Sequence, residues 1–302
     1  MADPVLGDYA PGPHWCEMSR GGANQPVRDR LAALSLEELK RRAADVDAEL
    51  RDLGITFTVY SERDAVDRVL PFDCIPRVLS AEDWAHIEAG VCQRVAALNH
   101  LLHDIYHDGK ILADGVIPAE LVLGNPNYRP VMRGVDLPHR TYVNVCGTDI
   151  VRGSDGGFMV LEDNARTPSG VSYVVENRHM MLRAFPDMLD GVRLRPVGDY
   201  GARLLGALRE VAPRVPDPQV VLLSPGPYNS AYFEHTLLAG MMGVELVEGR
   251  DLVCRRGRVM MRTTKGLEQV HVIYRRVDDE FLDPVQFRAD SLLGCPGLIN
   301  AA

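Results

Sequence analysis

The chain has 302 residues, of which 46% are hydrophobic and 25% charged. That suffices for one large domain or two smaller ones and excludes disordered, collagenous and coiled-coil classes. Its 33 Lys and Arg against 42 Asp and Glu leave a formal charge of −9, which argues against sequence-independent attraction to nucleic acid.

No run of residues approaches bilayer length, and the first residues lack a basic stretch followed by an apolar one, so the sequence reads as cytoplasmic with no membrane partner. Cys16, Cys74, Cys92, Cys146, Cys254 and Cys295 are scattered without a C-x-x-C pair. They read as reduced thiols, neither a disulfide framework nor a zinc site.

Three consecutive regions are expected: a mostly helical 1–135, a hairpin-and-helix segment 136–212, and a small α/β domain 213–302. Ser35-Leu-Glu-Glu38 is a capping-box pattern opening a helix that ends at Gly54. Phe57 to Tyr60 reads as a strand, and Ser80 caps a second helix reaching His107. A further helix is expected over 172–185, with Ser169 or Ser172 as its cap. After the prolines at 213, 216 and 218, strand 220–223, loop 224–230, helix 231–242 and strand 244–247 give a β-loop-α-β order. His100, His103 and His107 share one helical face opposite Leu98, Leu101, Leu102 and Ile105, which reads as a solvated polar face.

The chemistry concentrates between Gly147 and Asn164. Two strand-like arms flank Asp155-Gly156, a dipeptide favoured in tight hairpin turns. With those two residues as the loop, Asp149 lies directly opposite Glu162, and Asn164 shares their face because side chains alternate along a strand. A loop at Gly156-Gly157 keeps this cluster, whereas a three-residue loop breaks it. Facing carboxylates repel unless a cation cancels their charge, and two acids with an amide oxygen suit Mg²⁺, which retains waters and takes phosphate oxygens. An exposed acidic hairpin with solvated charges is the alternative.

Beyond it, Arg166, Thr167, Ser169 and Gly170 offer a guanidinium fork, hydroxyls and Gly-flanked amides, the makings of an anion-binding loop. The loop from Ser224 to Ser230 stands between a strand and a helix but lacks both common nucleotide-binding glycine patterns. Tyr228, Asn229, Glu234 and His235 around it are candidates for substrate contact, against a helix cap at Asn229 or Ser230 and a surface His. Arg275 and Arg276 before Asp278-Asp279 are a further substrate candidate or a set of surface ion pairs.

The residues carrying a wider resemblance are Phe57-Thr-Val-Tyr60, Ile75-Pro-Arg77, Gln93 to Asn99, Asp104-Ile-Tyr106, Asp149 to Arg152 and Glu162 to Tyr173. They continue through Gly226 to His235, Tyr274 to Asp279 and Asp283-Pro284. On these the chain resembles the circularly permuted type 2 ATP-grasp proteins related to glutathionylspermidine synthetase. The resemblance implies a partial circularly permuted ATP-grasp fold of α/β class with a small α/β pre-ATP-grasp-like domain. It also implies an ATP-dependent carboxylate–amine ligase working through an acylphosphate on small-molecule or peptide carboxylates and amines. One or two Mg²⁺ ions bound to ATP would sit on Asp149, Glu162 and Asn164, with Arg152 and Arg166 on phosphate and Thr167, Ser169 and Gly170 on the nucleotide. A non-catalytic ATP-grasp-like binding or scaffold protein is the alternative.

Trp15-Cys-Glu-Met18 departs from the family pattern, which usually has Asp before that Glu. Family members also continue beyond the position of Leu298 to Ala302. The resemblance therefore implies a shortened chain without the lysine-bearing nucleotide clamp, inactive as a fragment. Lys40, Lys110 and Lys265 are the only lysines and none is an obvious substitute. Self-association is expected through apolar surface near Leu292, Leu293 and Leu298.

Overall fold

The structure, a computed structural model, describes residues 5–6, 10, 12–13, 15–19, 22–60, 65–212 and 214–301. The chain begins with helices α1 (Gln25–Ala33) and α2 (Leu36–Asp52), strands β1 (Thr56–Tyr60) and β2 (Ala65–Val69), and helices α3 (Ala81–Tyr106), α4 (Lys110–Ala113) and α5 (Ala119–Leu123). Strands β3 (Gly147–Arg152) and β4 (Phe158–Asn164) then precede helices α6 (Val171–Ala184) and α7 (Tyr200–Glu210). Strand β5 (Val220–Leu223), helix α8 (Tyr232–Met242) and strands β6 (Glu245–Val247), β7 (Leu252–Arg255), β8 (Arg258–Thr263), β9 (Gly266–Val270) and β10 (Val272–Arg275) follow, ending in short helix α9 (Leu298–Ala301). The class is mixed α/β, as expected.

Helix starts follow their caps. Ser35 Oγ accepts from Glu38 N at 3.2 Å and Ser80 Oγ accepts from Asp83 N at 3.0 Å, each satisfying one of the backbone donors that a helix start leaves unpaired. The capping box at Ser35 is half-formed, because Glu38 turns its carboxylate toward Arg41 and Arg42. Those guanidiniums hold the Glu38 carboxyl down at about 2.

Two compact units divide the described chain. One comprises the described residues of 1–11, 17–77 and 169–302, the other those of 12–16 and 78–168. The proline-rich 213–218 thus lies within the first unit.

In the first unit β10, β5 and β6 form a parallel sheet with β5 central. Val220 to Leu223 are all buried, as befits a parallel strand covered on both faces. Strands β7, β8 and β9 make an antiparallel meander whose Leu252, Val259, Met261 and Val270 join Val221, Leu223 and Val247 in one core. Leu298 of α9 belongs to that core, Leu293 packs against it, and Leu292 is 91% exposed. The expected apolar surface is therefore corrected for Leu293 and Leu298, which pack on the meander, while Leu292 is exposed.

In the second unit the end of α3 departs from a solvated polar face. His100 is exposed, but the rings of His103 and His107 lie 4.0 Å apart and His103 Nδ1 is 3.3 Å from the Tyr142 hydroxyl. Asp104, between them, accepts from the amides of Lys110 and Ile111 and so fixes the turn into α4. No described helix is long and apolar enough to cross a membrane, and none of the six cysteines is in a disulfide.

Candidate functional site

Strands β3 and β4 pair antiparallel, with Gly147 opposite Asn164, Thr148 opposite Asp163 and Asp149 opposite Glu162. Beyond Asp149 the register shifts, so that Ile150 faces Val160 and Arg152 faces Phe158. Leu161 is the extra residue of a β-bulge. At the tip, Gly153 N donates to Gly157 O at 2.8 Å and Gly156 N to Gly153 O at 3.0 Å. The loop is therefore Ser154-Asp155-Gly156, three residues long, with Gly156 left-handed at φ 89°.

This corrects the expected two-residue turn. A three-residue loop by itself would put Asp149 and Glu162 on opposite faces, and the bulge at Leu161 restores the pairing. Gly156 is required for a second reason, because a Cβ there would come within 2.4 Å of the Trp15 ring.

Asp149, Glu162 and Asn164 are exposed on one face of the hairpin, and Asn164 Nδ2 donates to Glu162 Oε1 at 3.2 Å. The intervening acid, Asp163, faces the other way. Its carboxylate accepts from Thr148 Oγ1 at 3.0 Å and from Arg94 Nε at 2.5 Å, so its charge is already paired. Among the described residues no basic side chain pairs with Asp149 or Glu162, and no group of three His, Cys, Asp or Glu converges on one point. The donor set is two carboxylates and one amide. That chemistry fits a hard cation which keeps several waters, and not a closed all-protein cage.

Arg152, at the other end of β3, is held by the protein itself. Its guanidinium makes a fork to Asp83 at 3.1 and 3.2 Å, and its Nε donates to Gly156 O at 2.9 Å. The group lies 4.4 Å from the Trp15 ring centroid and 4.5 Å from that of Phe158. In this position Arg152 ties the hairpin tip to α3.

After Asn164 the chain passes through Arg166, exposed, and Thr167, half-buried, in the second unit, then Ser169, exposed, and Gly170 in the first. Neither Ser169 nor Ser172 caps α6, which corrects the expectation. Gly170, left-handed at φ 110°, is the N-cap residue, and the capping carboxylate comes from Glu234 on α8. Glu234 Oε2 accepts from Gly170 N at 2.6 Å, Ser172 N at 3.3 Å and Ser172 Oγ at 2.8 Å. The Gly170 amide is thus already engaged. Arg276 NH2 donates to the other oxygen, Oε1, at 3.0 Å, with both side chains buried.

His235 is likewise interior, not on the surface as expected. Its Nδ1 lies 2.9 Å from Ser224 Oγ, which also accepts from Gly226 N at 3.1 Å. Which of the two donates follows the His235 tautomer. Burial, aided by the Arg276 charge, pushes the His235 ring down to about 4. Burial, aided by Tyr274 and Glu234, pushes the nearby Tyr200 phenol up to about 12.

Of the substrate candidates, Tyr228 alone is strongly exposed, at 89%. Asn229 Oδ1 accepts from Ala231 N at 2.9 Å in a local turn. Arg275 pairs with Asp279 at 2.5 Å and donates to Val277 O. Glu234, His235 and Arg276 are buried on internal partners. The near-absence of charge around their apolar neighbours in α8, Leu237, Leu238 and Ala239, was the available hint of a buried helix.

Residues 76–302 match a family model described as a circularly permuted ATPgrasp. The model is that of type 1, which corrects the type 2 assignment drawn from the motifs. An uncharacterized protein of Mycobacterium tuberculosis is 51% identical over 282 residues, 93% of this chain and 50% of its own length. An uncharacterized protein of Synechocystis is 46% identical over 276 residues, 91% of this chain and 57% of its own length. A second uncharacterized protein of Mycobacterium tuberculosis is 36% identical over 300 residues, 96% of this chain and 33% of its own length. The chain spans about half the length of the first two of these relatives.

Proposed function

Because the chain belongs to the circularly permuted ATP-grasp family, we propose that it forms part of an ATP-dependent carboxylate–amine ligase whose hairpin β3-β4 holds Mg²⁺-ATP. The observation that carries this reading is the exposed pairing of Asp149 with Glu162, with Asn164 two residues along the same face. Asp149, Glu162 and Asn164 would hold the cation. When bound, Mg²⁺ neutralises charge on the phosphates that share it.

The chain's own residues supply placement. The Leu161 bulge keeps the two carboxylates facing, and Arg94 removes Asp163 from competition by pairing with it on the opposite face. Arg152, anchored on Asp83, holds the tip of β3. Arg166 and Thr167, immediately after the hairpin, are the residues of this unit best sited by sequence to meet phosphate oxygens.

The substrates are a small-molecule or peptide carboxylate and an amine. The carboxylate attacks the terminal phosphorus of ATP, releasing ADP, and the amine then displaces phosphate from the acylphosphate to leave an amide. Positioning governs such a reaction, since an error of about 1 Å costs on the order of 100-fold in rate.

The test is ADP release by the full-length protein with pools of carboxylates and amines, wild type beside Asp149→Asn and Glu162→Gln. Turnover that needs Mg²⁺, a carboxylate and an amine together, and is lost in both variants, supports the ligase reading. ATP binding with no turnover in any pool favours the binding-protein alternative, and equal activity in the variants rejects the hairpin site.

A further inference from the structure

Where the meander meets the parallel sheet, the first unit holds an open cavity of about 450 Å³, within the range of small-ligand pockets. His271, the one residue between β9 and β10, lines it, and residues just after α7 and in α9 complete the lining. Much of that lining is apolar. Val259 and Val270, register partners on β8 and β9, contribute to it together with Leu282 and Leu298, and all four belong to the buried core of the unit.

The ionisable groups in the lining are Arg258, His271 and Arg275, and among the described residues no Asp or Glu lines the cavity, in a chain whose formal charge is −9. Arg275 is committed to Asp279 and to Val277 O. Arg258 is exposed, and its NH1 donates to Gln269 Oε1 at 3.2 Å. His271 Nδ1 accepts from Gln219 N at 3.0 Å, and because an amide nitrogen only donates, the ring carries its hydrogen on Nε2. The rest of the Arg258 fork and the Nε2 hydrogen of His271 are therefore donors that a ligand can use.

The turn that carries Arg258 points to the same ligand chemistry. Arg255 and Arg258 are direct register partners across β7 and β8, and the two loop residues between them, Arg256 and Gly257, are left-handed at φ 52° and 69°. Arg256 thus occupies a position that favours Asn, Asp or Gly. Like charges directly opposite each other repel, and among the described residues none of Arg255, Arg256 and Arg258 forms an ion pair. Three uncompensated arginines at one tight turn, with Gly257 and Arg258 of that turn lining an apolar cavity, supply what an oxyanion on an apolar body requires. We propose that the cavity binds a small amphipathic anion, a carboxylate or phosphate head on an apolar chain, with the head on Arg258 and His271 and the chain against Val259, Val270 and Leu298. Neither Mg²⁺ nor nucleotide enters this proposal, so it stands independently of the ligase reading.

The experiment titrates octanoate, octyl phosphate, octylammonium and acetate into the purified chain by calorimetry at an ionic strength of about 0.15 M, and repeats the titrations on Arg258→Gln, Ile299→Trp and Arg262→Gln. Octanoate or octyl phosphate should bind, and the tighter of the two identifies the head group. Octylammonium has the same chain with the opposite charge and acetate has the head without the chain, and each should bind roughly 10-fold more weakly or worse. Arg258→Gln should weaken the anion by roughly 10-fold, the loss of a charge-assisted hydrogen bond. Ile299 lines the cavity and is 41% exposed, so Trp there narrows the space without altering charge and should weaken the anion by a similar factor. Arg262→Gln makes the same charge change four residues along β8, about 13 Å away, and should leave the affinity within about twofold, since that distance exceeds the screening length.

Equal affinity for octanoate and octylammonium would show unselective apolar binding and overturn the proposal, as would failure of both anions to bind the wild type in the millimolar range. Affinity unchanged in both Arg258→Gln and Ile299→Trp would place the anion elsewhere and overturn it too. Light scattering alongside the titrations reads out a second copy as the occupant: a dimer that excludes octanoate would assign the cavity to an interface and not to a small anion. If Arg258→Gln does not fold, Ile299→Trp and the octylammonium titration carry the test. Each of these failures leaves the ligase reading standing.

Discussion

His235 makes the first unit sensitive to acid in a way that can be calculated. Its ring is held neutral, with a pKa of about 4 against 6.5 for a free side chain, first by burial and then by the Arg276 charge. The folded state therefore favours the deprotonated ring. The associated stability is fully present above about pH 6.5 and is lost progressively as pH falls from there to about 4, where the folded form itself takes up the proton. A shift of this size corresponds to about 3 kcal/mol in total, of which roughly 2 kcal/mol is lost between pH 7 and pH 5.

Equilibrium urea unfolding of wild type and His235→Asn at both pH values isolates the effect, because every other titrating group is common to the two proteins. Asn keeps a hydrogen-bonding group near the place of Nδ1 for Ser224 Oγ. Wild type should lose about 2 kcal/mol more than the variant over that interval. Equal losses, or a ring that titrates near 6.5 by NMR, would show that burial does not hold His235 neutral.

Two further perturbations act on buried and semi-buried charge. Arg276→Met leaves Glu234 buried beside helix amides with its cationic partner gone, and should cost about 3–5 kcal/mol in urea unfolding, more than Arg275→Met, whose pair with Asp279 is partly exposed. Arg152→Lys keeps the charge but loses the planar fork to Asp83 and the stacking between Trp15 and Phe158, and should lower stability by about 1–2 kcal/mol while speeding amide exchange at the hairpin tip.

The parts of this architecture written locally were legible in the sequence. Ser35 and Ser80 announce their helices because a cap and its donor lie three residues apart. Val220 to Leu223 announces a buried strand because four apolar residues stand between Pro218-Gln219 and Ser224. The hairpin was legible in outline only. Asp155-Gly156 gave the reversal, but the three-residue loop and the Leu161 bulge are two irregularities of opposite effect, and nothing in the local pattern separates them from a regular two-residue turn.

What escaped were the features that depend on distant residues. The cap of α6 is on α8, so Ser169 and Ser172 seemed the natural choices. Glu234, His235 and Arg276 look like surface chemistry as a string and become an internal network once α8 lies on β5. Leu298 looks like exposed apolar surface until α9 closes on the meander.

In the proposed function Asp149, Glu162 and Asn164 together hold one cation. Titration of Mn²⁺ into the purified chain, followed by paramagnetic resonance or calorimetry, tests it directly, with Asp149→Asn, Glu162→Gln and Asp163→Asn alongside. Wild type should bind Mn²⁺, and Asp149→Asn and Glu162→Gln should each weaken binding by roughly 10-fold or more, since each removes a charged oxygen ligand. Asp163→Asn should retain the affinity, because that side chain faces Arg94 and Thr148 on the other side of the hairpin. Equal affinity in wild type, Asp149→Asn and Glu162→Gln, or a loss confined to Asp163→Asn, would contradict it.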